Sequence, residues 1–60
     1  MEKYYEAYEH AKDYDLIHAV GTNLNDLTNY ANERNLKVKE ITKRDYMWSC
    51  ITFRSEQIFE

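Results

Sequence analysis

Few side chains in this sequence have the type and spacing to do chemistry: His10, His18, Cys50 and a scattered set of carboxylates. A histidine beside a carboxylate is the pairing used for general acid–base work. Here it comes with no nucleophile on a turn and no loop that supplies an oxyanion hole, so strand histidines facing solvent are the simpler reading. Cys50 stands between Ser49 and Ile51 in an apolar run, the setting of a small packed hydrophobe rather than of an activated thiolate. The histidines are eight residues apart, with no CxxC, HxxxH or HExxH spacing around them. Gly21 is the only glycine, which excludes a phosphate-cradling loop or a dinucleotide fingerprint. The expectation is a chain with no catalytic centre, no metal and no cofactor.

Charge and aromatic content are more informative. Residues 1–30 hold two basic and six acidic groups, residues 31–60 six basic and five acidic, within a net charge of −3. Five of the eight basic side chains (Arg34, Lys37, Lys39, Lys43 and Arg44) fall within eleven positions, close to Tyr46 and Trp48. Basic groups beside strand aromatics suit a single-stranded nucleic-acid platform. The overall acidity of the chain opposes phosphate binding, and a charged strand end also blunts a sheet edge. The acidic half reads the other way. Glu2, Glu6, Glu9, Asp13 and Asp15, set among tyrosines, suit docking on a basic surface.

Four strands and a helix position these groups in the expected fold, with residues 1–60 forming one domain. Thr22 and Asn23 are good helix N-caps, with Asp26 placed to meet the first-turn amides. Leu24, Leu27 and Ala31 share one face of a helix over Asn23–Asn35, and Asn35 tolerates the left-handed C-cap. Asp15–Gly21 reads as a strand, paired with residues 2–12 through a turn at Asp13-Tyr14 that sets Lys12 against Asp15, Tyr8 against Ala19 and Glu9 against His18. The competing reading makes residues 2–12 a helix with a Tyr4, Ala7, Tyr8, Ala11 stripe. Leu36-Lys37-Val38-Lys39 alternates as a strand, with a bulge expected near Lys39-Glu40 and a turn at Lys43-Arg44-Asp45. Tyr46–Arg54 reads as the strongest strand, apolar on both sides. The result is an α+β fold of order ββαββ, one helix laid on a small antiparallel sheet.

Such a chain is barely large enough to fold. Burial contributes roughly 95 kcal/mol against roughly 90 kcal/mol for ordering sixty residues. With a single cysteine no intrachain disulfide can help, which also fits a reducing compartment. One helix covers one sheet face, while nine residues are aromatic. The uncovered face is therefore expected to meet a second subunit, or a sheet edge to pair across a two-fold axis, making the chain a homodimer. Tyr4, Tyr5, Tyr8, Tyr46, Trp48 and Phe53 are the partner-binding candidates. No apolar run is long enough for a secretory leader or a membrane span, so a cytoplasmic location is expected.

The stretch Tyr4–Ala31 also resembles the opening of short phage and prophage accessory proteins. The likeness lies in a tyrosine-rich hairpin, then Val20-Gly21-Thr22, then a capped helix beginning Asn23-Leu24-Asn25-Asp26-Leu27. In some of those proteins a helix-turn-helix follows, where this chain has the strand-like Leu36-Lys37-Val38-Lys39. The group includes compact dimeric inhibitors of bacterial anti-phage systems. The resemblance implies a homodimer that binds and blocks a host protein, for example in a helicase–nuclease defence complex. The alternatives are a nucleic-acid-binding sheet or an antitoxin-like regulatory partner.

Overall fold

The N-terminal hairpin forms the centre of the sheet. The structure, a computed structural model, describes residues 2–60. Strand β1 (Tyr4–His10) pairs antiparallel with β2 (Asp15–Gly21) on one side and with β3 (Lys37–Ile41) on the other. A short β4 (Ile58–Phe59) adds parallel to β2, giving the order β3-β1-β2-β4. Helix α1 (Leu24–Glu33) lies between β2 and β3, and a second helix, α2 (Lys43–Thr52), lies between β3 and β4. A 3-10 turn over Ser55–Gln57 leads into β4.

The fold is α+β, and its strands and first helix follow the expected order. Residues 4–10 are strand rather than helix. The larger departure is Tyr46–Arg54, expected as the fourth strand, of which residues up to Thr52 are helical. The fourth strand is instead Ile58–Phe59, and its parallel pairing makes the sheet mixed rather than antiparallel. Lys43-Arg44-Asp45 is not a turn between strands but the first turn of α2. The Thr42 hydroxyl accepts the Asp45 N–H at 3.2 Å, and Asp45 places negative charge at the helix start.

Helix α1 forms for the reasons its sequence suggests. Asn23 Oδ1 accepts the Asp26 N–H at 3.2 Å, and Asn23 Nδ2 donates to the Asp26 carboxylate at 3.0 Å. At the other end Asn35 takes φ 57°. Leu36 N–H reaches Ala31 O at 2.8 Å, and Asn35 N–H reaches Asn32 O at 3.4 Å. That pair of bonds is a Schellman ending, which aims Leu36 back at the core. Leu27 and Ala31 are buried on Ala7 and Ala19 of the hairpin, with Tyr5, Tyr30, Leu36, Val38 and Phe59 closing the rim.

The hairpin register differs from the simple turn. His10 pairs with Asp15 across a loop of residues 11–14, in which Ala11 N–H donates to Tyr14 O at 2.9 Å. Ala7 pairs with Ala19 but Tyr8 pairs with Ile17, so His18 is the extra residue of a bulge. The bulge lies here, not near Lys39-Glu40, where β3 keeps an even register with β1. Its consequence is a change of face. Strict alternation would put Ile17 and Asp15 on the α1 side with Ala19; the bulge carries both to the opposite face, under α2. The His18 carbonyl then accepts from Gln57 Nε2 at 2.9 Å, tying the C-terminal segment to the bulge.

Gly21 is required by close approach rather than by a special dihedral. A Cβ there would lie 2.1 Å from the Phe59 carbonyl oxygen, which accepts the N–H groups of Thr22 and Asn23 at 2.9 and 3.0 Å. Gly21→Ala should therefore displace β4 and lower stability by about 1–3 kcal/mol, read by urea denaturation. Equal stability would show that β4 does not hold this position. Asn35→Gly should stay within a few tenths of a kcal/mol, whereas Asn35→Ala should cost about 1 kcal/mol.

Candidate functional site

Helix α2 lies on the sheet face opposite α1, and its two sides have different surroundings. Inward, Tyr46 and Ser49 are buried. Tyr46 stacks on Tyr4 with ring centroids 4.7 Å apart. Its hydroxyl is buried and, among the described residues, meets no hydrogen-bond partner. Burial pushes the phenol's pKa well up, and Cys50 and Glu60 push it the same way.

Beneath α2 the sheet carries charge. Glu6, opposite Lys39 on β3 and Val20 on β2, is only 4% exposed. Lys39 Nζ lies 3.4 Å from Glu6 Oε2 and 3.3 Å from Asp15 Oδ2, with the Tyr8 ring centroid 4.7 Å away. Asp15 Oδ1 is in turn 2.9 Å from His10 Nδ1. Burial raises the Glu6 pKa, only partly offset by Lys39, and Asp45 and Asp15 raise it further. The hydrogen bond from His10 and then the contact with Lys39 hold Asp15 below the usual range. These groups line a shallow cleft with Ile17, Ile41, Asp45, Trp48 and Ser49. A carboxylate with a raised pKa in a cleft can mark acid–base chemistry, but ion-pair networks produce the same shift. Glu6, Lys39 and Asp15 pair across neighbouring strands, so the arrangement works as a brace across β3, β1 and β2.

Outward, α2 is apolar. Met47, Trp48 and Ile51 are 55%, 73% and 78% exposed. With Arg44 they occupy i, i+3, i+4 and i+7, one continuous stripe. Arg44 and Trp48 share a shallow hollow with Asp45, and Trp48 joins Phe53 and Thr52 in another beside Asp15 and Ile17. The molecule exposes 4666 Å². A monomer of 7.3 kDa would expose about 4,200 Å². The excess over that average is about 500 Å².

Of the partner-binding candidates, only Trp48 is largely exposed. Tyr46 is 8% exposed. Tyr4, Tyr8 and Phe53 are half-buried on the α2 side, and Tyr5 packs at the α1 core on the opposite face. Met47 and Ile51 belong to the patch although strand periodicity hid them. Their signal was the helical spacing from Arg44, together with the Thr42-x-x-Asp45 cap.

The five clustered basic residues are not brought together. Arg34 stacks on Tyr30 at 4.0 Å from the ring centroid and pairs with Glu33 at 3.5 Å. Lys39 is held by two carboxylates. Lys37 is exposed on β3, and Lys43 and Arg44 are exposed in the first turn of α2. Both histidines pair with carboxylates, His18 with Glu9 at 3.2 Å. Among the described residues no group of three or more His, Cys, Asp or Glu is arranged to hold a metal, and no helix is long and apolar enough to cross a membrane.

No protein-family model matches the chain, and no curated protein or solved structure matches it either.

The brace makes two predictions. Lys39→Met leaves Glu6 buried without a counter-charge and should lower stability near neutral pH. The same change in a Glu6→Gln background should cost much less, which a double-mutant cycle of urea melts resolves. The second prediction concerns pH. Because the folded-state pKa of Glu6 is raised, its stabilising contribution is greatest when it is protonated and fades as pH rises through that raised value. Glu6→Gln should thus gain on the wild type as pH is raised from about 4 to 7. A pH-independent difference between the two would contradict this assignment.

Proposed function

We propose that this chain acts by binding another protein, without turnover, through the outward stripe of α2. The observation that carries this reading is the exposure of Trp48 beside Met47 and Ile51, since a water-facing tryptophan flanked by aliphatic side chains is the usual centre of a protein contact. Arg44 at one end of the stripe supplies the polar rim and a second residue type favoured at such contacts. Occupying a surface on a host protein, such as a component of an anti-phage complex, is the mode of action implied by the accessory proteins that Tyr4–Ala31 resembles.

A nucleic-acid-binding sheet has less support. The sheet face that would have to stack bases lies under α2, and Lys39 and Arg34 are engaged within the molecule. Edge-to-edge pairing is also discouraged, because β3 ends the sheet with Lys37, Lys39 and Glu40, and β4 is two residues long.

Affinity capture with the tagged chain tests the proposal. A co-purifying protein should be retained by the wild type and lost with the paired change Trp48→Glu and Ile51→Glu. Circular dichroism should show that variant to be folded, because neither side chain is part of the core. Equal retention by both chains would place the contact elsewhere and end the reading.

A further inference from the structure

We infer that, in the free protein, the α2 stripe is covered by a second copy of this chain, the two α2 helices packing antiparallel across a two-fold axis near Met47 and Trp48. The inference rests on the stripe being a protein contact and adds what occupies it.

Four observations point to self-pairing. The first is the thin core: three of its six members are alanine, and Leu27 and Val20 are the largest fully buried side chains. A chain this small gains most from a partner that is present whenever it is itself made, and only its own copy meets that condition. The second is area. Met47, Trp48 and Ile51, each more than half exposed, with the stems of Lys43 and Arg44 at the rim, give a two-fold contact of small size, at the lower end of specific association.

The third is pattern. A stripe at i, i+3, i+4 and i+7 on a ten-residue helix is its own complement when reversed, so Trp48 and Met47 of each copy meet at the axis while Arg44 reaches the turn containing Ile51 of the other. The fourth is charge. Lys43 and Arg44 begin the helix, and among the described residues neither takes part in an ion pair. The Asp15 carboxylate lies in the hollow beside Trp48 and Thr52, towards the helix end. Reversal brings the basic end of one copy towards Asp15 of the other, whose carboxylate also meets Lys39 and His10 of its own chain, and leaves Arg44 within reach of the second copy's Trp48 face. A target protein using the same stripe then competes with the second copy, so target binding and self-association exclude one another.

Sedimentation equilibrium of the intact chain tests this. The weight-average mass should climb from one chain towards two between roughly 1 and 300 μM, the range suited to so small an interface. Trp48→Glu should weaken association at least tenfold. Arg44→Glu should weaken it several-fold, while leaving the circular dichroism spectrum unchanged. In a Cys50→Ser background, Met47→Cys should give a disulfide-linked dimer on mild oxidation, because that position lies at the axis. A chain that stays monomeric at the highest concentration overturns the inference. If the capture of another protein still depends on Trp48 and Ile51, the protein-contact reading survives and only the occupant is wrong. A dimer indifferent to Trp48→Glu also overturns the inference and moves the interface off α2.

Discussion

The Lys39 ammonium, held between Glu6 and Asp15, is the contact on which the α2 side of the molecule depends. It joins three strands: Lys39 comes from β3, Glu6 from β1 and Asp15 from β2. Glu6 sits where an apolar residue would be expected, beneath a helix, and its burial is tolerable only because a counter-charge reaches it from the open edge of the sheet. Asp15 reaches the same ammonium only because the His18 bulge turns the start of β2 over to this face. Around that polar pair the same face offers the helix only Val20, fully buried opposite Glu6, and the half-buried Tyr4, Ile17 and Ile41. Helix α2 settles its tyrosine on Tyr4 and Ser49 over the cleft, and its larger apolar side chains remain outside.

The two faces of the sheet are therefore unequal. The α1 face is a small apolar core in which alanines allow close approach and Leu27 fills the centre. The α2 face sets the buried Val20 beside an ion-pair layer, roofed by a helix that is apolar on its far side. Phe59 reaches over the edge of β2 to Tyr30 on the α1 side, and Gly21 leaves the space it needs. The bulge, the Gln57 bond to it and the parallel β4 together close the C-terminal segment onto the hairpin. With the edges charged or short, the exposed apolar stripe is the feature of this surface best suited to association.

Helix α1 and the hairpin were readable from the residues because local signals and tertiary demand agreed. Asn23, Asp26 and Asn35 are capping residues in capping positions, and Leu27 and Ala31 fall on the buried side. In helix α2 the two disagree. Tyr46, Met47, Trp48, Ile51 and Phe53 spread over every side of a helix, so alternation looked like the better period. The cap at Thr42 and Asp45 was a genuine signal, outweighed by aromatic and β-branched content. The bulge at His18 and the pairing of Lys39 with two carboxylates have no local signature, since both arise where separate strands meet.

The sequence by itself determined the fold class, the hairpin and first helix, and the presence of more apolar side chain than one small core absorbs. These follow from capping chemistry, periodicity and composition, which act over a few residues or over the chain as a whole. Only the tertiary structure decided where the surplus lies. It placed a second helix on the second sheet face, withdrew Tyr46 from solvent and left Trp48 in it. The physical reason is that Glu6 and Lys39, thirty-odd positions apart, must meet to neutralise one another, and their pairing makes that face a polar seat on which α2 can bury only one of its two apolar sides.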